Sequence, residues 1–134
     1  MEQEDYLKRQ IDQLSRILGK ILSGMLGLKN QGQISESIEI TNQTLKKELE
    51  LDIQELIDIE TDNFIKTLKS EKDFTDESLD KLAEILWIIA DNRKDGDRKK
   101  VYLKCLTIYE YLGKVEKTYS IDRQMKIAQI KNML

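Results

Sequence analysis

The stretch Phe74-Thr75-Asp76-Glu77-Ser78-Leu79-Asp80-Lys81-Leu82-Ala83-Glu84-Ile85-Leu86-Trp87-Ile88-Ile89-Ala90-Asp91-Asn92-Arg93 decides the fold. Thr75 is a strong N-cap residue, and Asp76 and Glu77 put negative charge in the first turn, where the helix dipole favours it. Phe74 and Leu79 stand at the two positions of a hydrophobic staple, which fixes how the chain enters the helix. Beyond the cap, Leu79, Leu82, Ala83, Leu86, Ile89 and Ala90 share one face at helical period, and Ile85 and Ile88 widen it. A helix this apolar over so much of its circumference belongs in the middle of a domain, with helices on more than one side.

Working outward, the same period governs the rest of the chain. Leu7, Ile11, Leu14, Leu18, Ile21, Met25 and Leu28 form an unbroken apolar seam and predict a first helix over about 5–28. Ser15, Gly19, Ser23 and Gly27 repeat every fourth residue on it. That stripe of small side chains is expected to receive another backbone at close range. Asn30-Gln31-Gly32 breaks the pattern with a C-terminal cap. A second helix is expected over 34–49, with Ile34, Ile38, Thr41, Leu45 and Leu49 inward. Asp52 with Glu55 reads as a capping box opening a short helix to about Ile59, and Thr61 as the cap of a further turn over 63–69. Residues 70–74 read as loop.

Downstream of the central helix, DNRKDGD (91–97) is a turn. A helix over about 98–112 follows, with Val101, Tyr102, Cys105, Leu106, Tyr109 and Leu112 inward, and Ser120 caps a last helix over 121–133. No segment alternates as a strand would. No proline occurs to break a helix. The expectation is one all-α domain over 1–134, with five to six helices in antiparallel hairpins and no sheet.

Composition removes whole classes of function. The 134 residues hold 22 Lys+Arg and 25 Asp+Glu, one Cys and no His. Without imidazole there is no Ser-His-Asp or Cys-His catalysis and no histidine metal ligand. A net charge of −3 argues against generic nucleic-acid binding, which runs on a strong positive field. Arg93, Lys94, Arg98, Lys99, Lys100 and Lys104 form the basic cluster, but Asp91, Asp95 and Asp97 interleave with it, so it reads as a solvated turn. Glu2, Glu4 and Asp5 are acidic where a secretory leader is basic. The most apolar run, Ile17–Leu28, contains Lys20 and is too short to span a bilayer. A cytoplasmic protein without a membrane partner is expected, and the lone Cys105 fits a reducing compartment.

Two segments resemble second halves of tetratricopeptide repeats. In GQISESIEITNQTL, Gly32, Ile34, Ser37, Ile38 and Leu45 match that family's spacing, with Thr41 at its aromatic and Thr44 at its Ala position. In YLKCLTIY, Tyr102, Cys105 and Leu106 stand for its aromatic, Ala and Leu. The resemblance implies tetratricopeptide-like packing of stacked hairpins and a role in holding a protein or peptide. The opening Asp5-Tyr6…Arg9-Gln10-Ile11…Leu14 also resembles an uncharacterised group of small bacterial helical proteins; this implies the fold and a bacterial source, but no reaction.

The function expected is a non-enzymatic interaction or scaffold domain with no cofactor and no catalytic residue. Tyr6, Arg9, Trp87 and Tyr111 are the candidate partner-binding residues. Two alternatives stand beside it. Asp52, Glu55 and Asp58 lie along one helix face and Glu77, Asp80 and Glu84 along another; side by side they would ligate Mg²⁺, as in all-α nucleotide pyrophosphohydrolases. Alternatively the amphipathic first helix makes the protein a small self-assembling structural unit, a homodimer through that helix.

Overall fold

In the computed structural model the described residues are 2–30, 32–116 and 120–134. The side chains of Tyr6, Leu7 and Ile34, and all of Tyr119, lie outside them. The described residues form seven helices and no strand: α1 (Glu2–Asn30), α2 (Ile34–Leu49), α3 (Ile53–Asp58), α4 (Thr61–Glu71), α5 (Asp76–Asp91), α6 (Arg98–Val115) and α7 (Ile121–Met133). The count exceeds the expected five to six because the two short stretches after Leu49 are each complete helices with their own start and stop. No helix among the described residues is long and apolar enough to cross a membrane.

α5 is the central element, and its start is built as its sequence specifies. The Thr75 hydroxyl accepts the Ser78 N–H at 3.2 Å, while Ser78 Oγ accepts the Thr75 N–H at 2.7 Å, a reciprocal capping box. Leu79, Leu82, Ala83, Ile85, Leu86 and Ala90 are fully buried. α6 returns antiparallel along α5 and closes the core with Val101, Cys105, Ile108 and Leu112. α1 and α2 form a second hairpin, whose α1 packs on the other side of α5 through Leu14, Leu18 and Met25. α3 and α4 lie against α6 by Leu56, Phe64 and Leu68, and α7 packs on α6.

The ends of α1 and α2 fall close to where the sequence places them, and α4 runs two residues past its expected end. Gly32 takes a left-handed φ of 75°, and the Gln33 N–H returns to the Leu28 carbonyl at 2.8 Å, closing α1 as the sequence predicts. Glu50 and Asp73 also adopt left-handed backbone, φ 53° and 59°, so that the Leu51 and Phe74 N–H groups reach back to Leu45 and Leu68. Neither is glycine, so this left-handed geometry, unlike the helix bounds, is not signalled by composition.

Several local expectations are corrected. The side chain of Asp52 caps α3, but it takes the Gln54 N–H at 2.8 Å rather than that of Glu55. Thr61 lies inside the first turn of α4, whose N-cap is Glu60. Among the described residues no backbone packs on Gly19 or Gly27 of the small-residue stripe of α1. Lys81 of α5 lies across it instead: its Nζ donates to the Ser15 carbonyl and hydroxyl at 3.2 and 2.9 Å, and a Cβ on Gly19 would meet its stem at 3.6–3.9 Å. Around Gly27 the space is open. Lys104 is buried, not part of a solvated turn; its Nζ reaches the Thr61 hydroxyl at 3.3 Å and lies 5.4 Å from the Phe64 ring centre.

Candidate functional site

A groove runs along one flank of α2. Ser35, Ile38, Asn42 and Lys46, spaced to share one face, form its long wall. The start of α3 (Asp52, Ile53, Gln54) and the end of α5 (Ile89, Asn92, Arg93) form the other, enclosing about 520 Å³. Ile38, Ile53 and Ile89 make an apolar floor, and the rim is hydroxyl, carboxamide and charge. Asn92 spends its side-chain N–H on the Ile88 carbonyl at 2.8 Å, which leaves its carboxamide oxygen as an acceptor. Arg93 is tied back to Asp95 at 2.9 Å and Asp97 at 3.5 Å. That guanidinium holds the Asp95 carboxyl below its ordinary range. Lys46 stands exposed on the opposite rim.

A second groove lies on the other flank of α2, against α1. It encloses about 420 Å³ and is lined by Ile17, Ile21, Met25, Leu28 and Ile40, with Lys20 and Glu48 at its edge. A third cleft, of about 380 Å³, lies among Trp87, Asp91, Tyr102, Gln129, Asn132 and Met133.

Of the sequence-selected partner residues, Trp87 and Tyr111 are not brought together. Arg9 is exposed on α1, and the side chain of Tyr6 lies outside the described residues. Trp87 is half-buried, edge-on to Tyr102 with ring centres 5.5 Å apart and with Lys126 Nζ 5.9 Å above it. Tyr111 is bound at the far end of α5: its hydroxyl donates to Asp76 at 2.9 Å and accepts from Lys69. Asp76 precedes Trp87 by eleven positions, about 16 Å of helix. Tyr102 and Tyr109 are core residues, and burial pushes the Tyr109 hydroxyl well above its usual range.

The two acidic sets are likewise kept apart. Asp52 lies at the end of α5 that carries Asn92, whereas Glu77, Asp80 and Glu84 are on its first half. Asp52 is spent as a cap, Glu77 faces Lys81 at 3.4 Å, and Asp80 faces Arg123 at 3.2 Å. Burial raises Glu84 above the ordinary carboxylate value, against the pull of Lys126. Among the described residues no three Asp, Glu or Cys side chains are grouped to hold a metal ion. The Mg²⁺ arrangement is therefore not assembled.

Cys105 is sealed in the core, its thiol donating to the Ala83 carbonyl at 3.3 Å and its pKa pushed up by burial to about 12. It has none of the cationic, open setting that makes a nucleophile. The groove between α2, α3 and α5 escaped the sequence reading. Asn42, Lys46, Asn92 and Arg93 carry no periodic signal of their own, and only the folded chain sets the end of α5 beside α2. Comparison with family models, with curated proteins and with solved structures finds no match for this chain.

Proposed function

We propose that this chain is a non-enzymatic interaction domain of the cytoplasm, tetratricopeptide-like in the stacking of its α1/α2 and α5/α6 hairpins, which holds an extended peptide segment of a partner protein. The observation that carries this reading is the groove along α2, with its isoleucine floor and carboxamide rim. From Ser35 to Lys46 the wall is about 16 Å long, the length of about five extended residues. Successive side chains of such a segment alternate between floor and solvent. Its main-chain N–H and C=O groups suit the rim carboxamides: Asn42 offers donor and acceptor together, while Gln54 and Asn92, whose side-chain N–H groups reach Asp58 and the Ile88 carbonyl, offer their oxygens. Lys46 on the rim favours an acidic residue in the segment.

The test is selection from a displayed peptide library, followed by titration of the selected peptides. Asn42 and Lys46 are exposed, so Asn42→Ala with Lys46→Glu leaves the fold intact. It should weaken the selected peptides by about tenfold or more, the worth of one or two lost polar contacts. Trp87→Ala should leave them unchanged. Failure to enrich any peptide, or equal binding to the groove variant, rejects this function.

A further inference from the structure

The other flank of α2 carries a second, independent inference, because it shares none of the peptide groove's lining residues. α1 and α2 are antiparallel and joined by a tight turn. Gly24 lies six residues before the end of α1 and Ile40 six after the start of α2, so the two stand level across their shared groove. Ile40 is 51% exposed and protrudes. Gly24 is a notch, with no neighbouring atom within 4 Å of where a Cβ would stand. Farther from the turn, Lys20 edges the groove from the α1 side and Glu48 from the α2 side, about one helical turn apart in level.

We propose that this face is the seat of a second copy of the chain. Place a two-fold axis along the groove, parallel to the helices. Each point on α1 then faces the point at the same level on the partner's α2. Under that one operation the Ile40 knob of each copy enters the Gly24 notch of the other, and each Lys20 approaches the opposing Glu48. The half-buried Ile17 and Leu28 are covered in the same step. A two-fold interface must be complementary to itself, and this face is so in both shape and charge. The pairing makes a four-helix bundle from two α1/α2 hairpins. It is also an α1 homodimer of a different kind from one built on the Gly19 stripe, which Lys81 of the same chain already covers.

Sedimentation equilibrium over a wide concentration range, with far-UV circular dichroism to check folding, tests this. Wild type should show a concentration-dependent monomer–dimer equilibrium. Ile40→Asp, at an exposed position, should weaken dimerisation by about thirtyfold or more, as loss of a central anchor does. Lys20→Glu alone and Glu48→Lys alone should each weaken it by about fivefold, and the double reversal should restore it, since the charges then exchange places. A wild type that is monomeric throughout overturns the proposal. So does a dimer that Ile40→Asp leaves unchanged, or one that the double reversal fails to restore. Peptide binding in the first groove is unaffected by any of these variants, so the two readings fail separately.

Discussion

Arg123→Ala measures how far charge, rather than apolar burial, holds α7 on the domain. The Arg123 side chain is 10% exposed and reaches Asp80 of α5 at 3.2 Å and Glu116, just past α6, at 2.8 Å. Burial is the largest influence on it and opposes its charge. The hydrogen bonds to Glu116 and Asp80 together outweigh that, so it is held protonated more firmly than usual. Removing one partner of a fully buried pair costs about 3–5 kcal/mol, but these carboxylates are 38% and 35% exposed and regain water. The electrostatic loss is therefore about 1 kcal/mol, and the missing stem adds about 1 kcal/mol of packing. For 134 residues the unfolding entropy is about 0.28 kcal/mol/K, so a loss of about 2 kcal/mol lowers Tm by about 7 °C. Arg123→Met keeps the stem and removes Nε, which is buried and has no hydrogen-bond partner among the described residues; it should lose only about half as much. Thermal melts of the three proteins, with amide exchange across 120–134, decide the matter. If Arg123→Met is as stable as wild type, the ion pairs contribute no more than the buried Nε costs, and the charge argument fails. If neither variant speeds exchange in α7, Arg123 does not hold that helix.

Cys105 should resist thiol reagents at pH 8 in the folded protein and react only at the rate of unfolding, since burial keeps it protonated up to about pH 12; prompt labelling of native protein would refute its sealed placement. Asp76 is lowered below its ordinary value, chiefly by the Lys69 hydrogen bond, and Lys69 is raised by Asp76. Stability from a lowered carboxyl is present above its unfolded value and is lost as pH falls through the folded one. Stability from a raised lysine is lost only in strong alkali. Asp76→Asn should therefore cost under about 1 kcal/mol between about pH 5 and 10, as for any pair this exposed, and converge with wild type in acid on urea titration. Gly27→Ala, in open space inside α1, should raise stability by up to about 1 kcal/mol, whereas Gly32→Ala should lower it by about 1 kcal/mol because of its positive φ. Glu50→Gly, at the left-handed end of α2, should be stabilising by about 0.5–1 kcal/mol in the same melts.

Much of the fold was legible because its signals are local. Thr75 with Phe74 and Leu79 marks a helix start whatever surrounds it, and the seam Leu14, Leu18, Ile21, Met25 needs only a period of 3.6 to be recognised. Gly32 announces its own stop because a left-handed residue without a Cβ costs little. The end of α2 at Leu49 was legible too, but the left-handed backbone of Glu50 and Asp73 was not: packing of Leu51 and Phe74 into the core holds an ordinary residue in a conformation its own preference disfavours. Lys104 and Arg123 look solvated in a sequence. Only the neighbours that the fold supplies, Phe64 and Thr61 for one, Asp80 and Glu116 for the other, make their burial tolerable.

The sequence by itself determined that the described residues form helices and no strand, where most helices begin, which faces turn inward, and that no histidine or cysteine-pair chemistry is open to this chain. These follow from bonding and periodicity within about a turn of each residue. Which surfaces remain open was decided only by the tertiary structure. Trp87 and Tyr111 look alike as aromatics flanking an apolar face, yet one is packed against Tyr102 and the other is tied to Lys69 and Asp76 at the opposite end of α5. The stripe that seemed built for a neighbouring backbone is overlain at Ser15 and Gly19 by Lys81, while Gly24, outside that stripe, is left open. Contacts between residues far apart in the chain depend on which helices meet and at what level, and periodicity along a single helix carries no record of that.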